Sequence, residues 1–283
     1  GEETKSFATP QEFANAHTIF NAVNTVAFIA LLTPLVQLTG RLVPAEVGER
    51  TVGEAQPAYL DRALLNTPVL ALEVARKEVM RLALKVRGMF ADSVPAALSG
   101  TRRELAALHD VNKEVDSLHG AIVGYLGETS RGELSSGQRE EFRLLLQVTN
   151  ELEHMANLID RGVIAVGGRR IDDVVEVSDR TRQTLRELHD AVTDTLDNAL
   201  EALGTGNVTA AKRVAESKAG FHELEGSATV HLADRLTAPD PQRVQAYSVE
   251  IELVEGLRRV HQSCRRIARV ARRAADEVEK IDS

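Results

Sequence analysis

Three sets of polar side chains stand where their spacing could do chemistry. Arg258, Arg265, Arg269 and Arg272 form one stripe at helical intervals, and Arg259, Arg266 and Arg273 form a neighbouring one. Guanidinium groups arrayed this way can contact anionic lipid headgroups or an acidic partner surface. The plainer and favoured alternative is a solvated face whose arginines pair with Glu and Asp of a neighbouring helix. The second set is the line Asn150, Glu153, Asn157 and Asp160. It runs beside a heptad seam with Phe142, Thr149, Ala156 and Val163 in one row and Leu145, Leu152 and Ile159 in the other. The third set, Asn21, Asn24 and Gln37, lies inside an apolar stretch. Amides there either line a transport path or, the favoured role, bond between helices.

No spacing carries catalysis. There is no Gly-rich phosphate loop, nucleophile elbow or paired-acid cleft, so the chain is not expected to be an enzyme. The eight histidines are scattered. His109, His119 and His154 lack a His-x-x-x-His or Cys–His partner, and His222 beside Glu223 and Glu225 makes no ligand set either. Gly204-Thr205-Gly206-Asn207 reads as a helix cap.

The elements that must position these residues begin with Thr18 to Gly40, which carries no formal charge, whereas 27% of the whole chain is charged. About 20 apolar residues cross a bilayer core, so residues 18–43 read as a transmembrane helix, with Pro34 tolerated if neighbouring helices pack on it. Arg41, Arg50, Arg62 and Arg76 follow this stretch and only Lys5 precedes it, which places the remainder on the cytoplasmic side of an inner membrane. A net charge of −8 and a pI near 5.6 argue against nucleic acid as a partner. The single Cys264 excludes an internal disulfide and fits a reducing compartment. The opening Gly1-Glu2-Glu3-Thr4 reads as the interior of a longer protein.

Residues 1–17 form a polar lead-in and 44–59, with Pro44, Gly48, Gly53 and Pro57, a linker. Thr67 as N-cap and Pro68 at the first position open a helix expected to run to about Phe90. Further helices are expected at 101–127 and 136–165, after which Gly167-Gly168 breaks the chain. A second set of three follows at 178–203, 208–236 and 241–281. The last helix repeats the seam, with Leu253, Val260, Ile267 and Ala274 in one row and Leu257, Cys264, Ala271 and Val278 in the other. The expectation is an all-α chain: one N-terminal transmembrane helix, then two tandem three-helix bundles at 60–168 and 177–281, related by internal duplication.

Ala16-His17-Thr18-Ile19-Phe20-Asn21 resembles the start of the last membrane helix in bacterial sodium/phosphate cotransporter family proteins. Leu60-Asp61, Leu65-Asn66-Thr67-Pro68-Val69-Leu70-Ala71-Leu72 and Glu78 resemble the opening of the PhoU-like domain fused behind that helix. Val115-Asp116, Tyr125-Leu126, Asn150-Glu151-Leu152-Glu153, His231-Leu232, Arg235-Leu236 and Leu257-Arg258-Arg259-Val260 continue the match. The resemblance implies two three-helix bundles on the cytoplasmic side of a membrane transport core. That core, with its Gln-Ser-Ser-Ser-type motifs, is not in this sequence, so the chain alone is not expected to carry phosphate.

The resemblance also implies a metal pattern, Glu-x-x-x-Asp, on the third helix of each bundle. Here the first copy reads Glu153-x-x-x-Asn157, with Asp110, Glu114 and Asp160 as helpers, and the second reads Arg258-x-x-x-Gln262, which cannot bind a cation. A divalent metal is therefore conceivable at the first copy alone, and no cofactor is otherwise expected. The implied function is the regulatory PhoU-like portion of a sodium-dependent inorganic phosphate transporter. Its partners would be the membrane and the transport core, with a homo-oligomer left open. The alternatives are a membrane-anchored PhoU-type signalling adaptor and a soluble metal-binding bundle.

Overall fold

Apolar residues at a helical period, punctuated by caps, yield helices throughout, and no strand occurs among the described residues. The structure is a computed structural model; it describes residues 55–236 and 243–282, and side chains through Arg273. The lead-in 1–17, the expected span 18–43 with Asn21, Asn24 and Gln37, and linker residues 44–54 lie outside the described residues. Among the described residues no helix is long and apolar enough to cross a membrane.

The end of the linker is fastened down. The backbone N–H groups of Ala58 and Tyr59 donate to Glu78 Oε2 at 2.9 and 2.8 Å. Glu78 is fully buried, and its other oxygen accepts from Arg81 at 2.6 Å. A 3₁₀ turn at Arg62–Asn66 leads into α1, Pro68–Ser99. The side-chain cap expected of Thr67 is not made; instead its carbonyl accepts from Ala71 N at 3.0 Å. Helix α1 also passes its expected end near Phe90. Pro95 lies inside it and deletes one helical bond, but Val94, Ala97 and Leu98 are buried and their packing carries the helix on to Ser99.

Capping boxes start the next two helices. Thr101 with Glu104 opens α2, Arg102–Thr129, and Ser135 with Gln138 opens α3, Ser136–Ile159. Helix α3 runs through a π turn, Asp160–Ile164, into α4, Ala165–Asp172. Gly167 and Gly168 therefore do not break the chain where the sequence suggested. Gly167 is a contact residue: a Cβ there would stand 2.6 Å from Ala97 Cα, so only glycine lets α4 lie against α1. The break comes after Asp172. Helices α5, Asp179–Thr205, α6, Val208–Arg235, and α7, Arg243–Asp282, follow. Gly206, at φ 69°, ends α5, and Asn207 Oδ1 caps α6 by accepting from Thr209 N and Ala210 N.

Helix α1 packs on α2 and α3, and α5 packs on α6 and α7; contacts of α3 with α7 and of α1 with α5 join the two triplets. All the described residues fall in one compact unit, Val52–Ser283. At the α3–α7 crossing the π turn meets α7 backbone to backbone, and a Cβ on Gly256 would stand 2.7 Å from Gly162 O. Nearby, Ser263 Oγ and Arg266 Nε both donate to Glu151 Oε1, the latter at 2.8 Å.

The two triplets share a burial spacing. Leu144, Leu145, Val148, Thr149, Leu152, Met155, Ala156 and Ile159 of α3 are buried at the same spacings as Val249, Glu250, Leu253, Val254, Leu257, Val260, His261 and Cys264 of α7. Leu105, Leu108, Val115, Ile122 and Leu126 of α2 match Ala211, Val214, Phe221, Ala228 and Leu232 of α6 in the same way. At one of these positions buried Thr149 gives way to Val254, and at two others an apolar side chain gives way to a polar one. Leu145 corresponds to Glu250, which is fully buried, paired with Arg243 and 3.3 Å from Arg235. Ala156 corresponds to His261. Cys264 is fully buried, and burial pushes its thiol far above the ordinary range.

Candidate functional site

The polar residues singled out in the sequence gather along two matching edges, α2/α3 and α6/α7. In the first edge Asn112, Asp116 and His119 of α2 face Asn150, Glu153, Asn157 and Asp160. Asn112 Nδ2 donates to Asn157 Oδ1 at 3.3 Å, and Asn157 Nδ2 donates to Glu153 Oε1. His109 Nδ1 lies 2.9 Å from Asp160 Oδ1, and His119 Nε2 lies 2.9 Å from Asn150 Oδ1. Partial loss of solvent raises the Asp116 carboxyl above its usual range; Glu153 and Asp160 push the same way, while His119 and Arg161 oppose them.

Glu153, Asn157 and Asp160 thus sit on one edge as the spacing required. The expected helpers do not join them. Asp110 Oδ1 accepts from Lys113 at 2.8 Å, and Glu114 Oε2 from Lys85 at 2.5 Å. Among the described residues no group of three His, Cys, Asp or Glu side chains is placed to hold a metal ion. The sequence reading missed Asp116 as a site residue, because its relation to Glu153 exists only once α2 packs on α3.

The second edge reverses the charge. In register with Asn112, Asp116 and His119 stand Lys218, His222 and Glu225 of α6. In register with Glu153, Asn157 and Asp160 stand Arg258, Gln262 and Arg265 of α7. These residues line a groove of about 610 Å³, backed by Phe221 and His261. The two rings stack, with centroids 4.1 Å apart and planes 11° from parallel. His261 Nε2 lies 3.1 Å from Ser217 Oγ. Burial, and then the nearby Arg265, pull His261 down to about 4, so it is neutral at ordinary pH.

The four expected contact arginines divide. Arg258 donates to Glu255 Oε2 at 2.5 Å and lies 3.5 Å from Glu225 Oε1 of α6, which is the helix-to-helix pairing the sequence reading favoured. Arg265 lines the groove and has no carboxylate partner among the described residues; its Nε is buried without an acceptor. Arg269 donates only to the Arg265 carbonyl, at 3.3 Å, and is exposed like Arg272. Lys218 and His261 escaped the sequence reading, since a groove needs both helices before its lining can be named.

The chain is similar to two curated proteins that share the name "Putative inorganic phosphate export protein YjbB". It is 24% identical to the one from Salmonella typhimurium (strain LT2) and 22% identical to the one from Escherichia coli (strain K12), over 245 residues in each case. Each match covers 87% of this chain and 45% of the relative, so the chain spans about half the length of these relatives. Among solved structures it resembles the crystal structure of PhoU from Pseudomonas aeruginosa. The TM-score is 0.62 at 16% identity, over 71% of this chain and 95% of that one. No family model matches the chain. The fold is thus an all-helical, PhoU-like one.

Proposed function

We propose that this chain is the regulatory PhoU-like portion of a longer membrane protein that moves inorganic phosphate, in the manner of the sodium-dependent phosphate transporters. The observation that carries the reading is a coincidence of two likenesses: a PhoU-like fold over 71% of the chain, and relatives more than twice its matched length whose name is phosphate export. In this reading the apolar stretch 18–43 is the last membrane helix, the bundles lie on the cytoplasmic side, and the transport core is the principal partner. The π turn of α3 at Gly162 and Gly256 of α7, with Glu151 bound by Ser263 and Arg266, forms the joint through which the state of one triplet reaches the other.

Phosphate flux by the full-length protein, with and without residues 60–283, tests the reading. Deletion should alter either the flux or its response to phosphate status. Identical flux and an identical response in the two proteins would sink it. A full-length protein that moves no phosphate under any gradient would point instead to an anchored adaptor.

A further inference from the structure

We propose that the groove between α6 and α7 binds a phosphate group, either free inorganic phosphate or the phosphomonoester of a lipid headgroup. The inference rests on the groove's own residues and stands independently of the transport reading. Its basis is an imbalance of charge at positions where the first triplet is acidic. Arg258 is balanced by Glu255 and Glu225. Arg265 is not balanced: its guanidinium lines the groove, its Nε is buried, and no acceptor or carboxylate among the described residues meets it.

A second cation, Lys218, faces the same groove from α6 and forms no ion pair among the described residues. His222 also lines it. The one acid in the lining, Glu225, is held 3.5 Å from both Arg258 and His222. Nothing with a free negative charge is left in the groove to repel an anion.

Two separated cations on two helices, one with a planar fork of donors, suit a tetrahedral oxyanion better than a carboxylate. A phosphate oxygen pair can accept both arms of the guanidinium, while a further oxygen takes the ammonium. The groove, at about 610 Å³, has room for water or an ester substituent beside the phosphate. The residues that would repel an anion in the first triplet, Asp116, Glu153 and Asp160, are here His222, Arg258 and Arg265.

The test is calorimetric titration of the complete chain with inorganic phosphate, paired with flotation on phosphatidic acid vesicles against phosphatidylcholine vesicles. Arg265→Gln and Lys218→Gln should each weaken binding about tenfold or more, the loss of one charge-assisted contact. Arg186→Gln, an exposed position on α5, should leave it unchanged. Circular dichroism checks that Arg265→Gln stays folded, and the exposed Lys218 keeps the test alive if it does not. Saturable binding of inorganic phosphate that both variants lose supports the site with a free ligand. Selective flotation on phosphatidic acid that both variants lose, without titration by free phosphate, supports it with a headgroup ligand. Absence of both signals in the wild-type chain, or an equal response from Arg186→Gln, overturns the proposal.

Discussion

The edge between α2 and α3 and the edge between α6 and α7 share one scaffold and carry opposite charge. The buried rows of α3 and α7 keep the same spacing, as do Leu105, Leu108, Val115, Ile122 and Leu126 of α2 with their counterparts in α6, yet Glu153, Asn157 and Asp160 give way to Arg258, Gln262 and Arg265. The comparison teaches that between two triplets of one spacing the seam is constrained and the rim is free. A core substitution must answer to packing on several sides, whereas a rim residue answers mainly to the solvent and to whatever binds. Where a polar side chain enters the core of the second triplet, at Glu250 and His261, it brings partners with it: Arg243 and Arg235 for the first, Phe221 and Ser217 for the second.

The sharpest break in that comparison is at Glu250. Glu250→Ala leaves Arg243, only 3% exposed, without its anion, and should cost about 3–5 kcal/mol in denaturant unfolding. Making the pair apolar, as Leu145 is in the first triplet, with Glu250→Leu and Arg243→Leu together, should restore most of that. A double variant no more stable than Glu250→Ala would show that the two core positions are not equivalent.

Next comes acid. His261 is held near 4 in the folded chain against 6.5 for a free imidazole. Below pH 6.5 the unfolded chain takes up the proton that the folded chain refuses, so stability falls as pH drops from 6.5 towards 4, by roughly 3 kcal/mol at the limit. His261→Gln should flatten that slope. His189, also lowered by burial, remains in the variant, so the readout is the difference between the two profiles; identical slopes would remove His261 from the account.

A smaller asymmetry lies where the triplets meet. A Cβ on Gly256 would press on Gly162 O at 2.7 Å, but one on Gly162 would stand 3.4 Å from Gly256 Cα, an ordinary contact. Gly256→Ala should therefore cost about 1–3 kcal/mol, and Gly162→Ala should stay within about 1 kcal/mol of the wild type. Equal melting shifts for the two would mean the crossing relaxes freely. The smallest effect is at the first edge. The raised Asp116 carboxyl means that its charge is disfavoured in the fold, so Asp116→Asn should gain a few tenths of a kcal/mol at neutral pH, solvent screening most of the repulsion at this exposed site. A clear loss of stability would mean that Asp116 carries an attractive contact.

Much of this was legible in the chain itself. The rows Leu145, Leu152, Ile159 and Leu253, Val260, Ile267 repeat every seven residues, and all six are buried, because a helical period is a local property. The contrast of Glu153-x-x-x-Asn157 with Arg258-x-x-x-Gln262 was equally plain. Other features depend on distant neighbours. Gly167 read as a break because its reason, Ala97, lies far away in sequence; the helix from Pro68 was expected to end near Phe90 because the burial of Val94, Ala97 and Leu98 that carries it on to Ser99 depends on distant neighbours. Arg258 and Arg265 look alike in one dimension, and only the packing of α6 shows that one is balanced and the other is not.

The thiol of Cys264 has a practical corollary. It is the chain's single cysteine, sealed in the core and held in its unreactive protonated form. A cysteine introduced at an exposed helix position would then be the one site open to a maleimide dye or a nitroxide. Pairs of such labels, one per triplet, would turn distances between them into a direct gauge of how this module responds to added inorganic phosphate, with the native residue left in place.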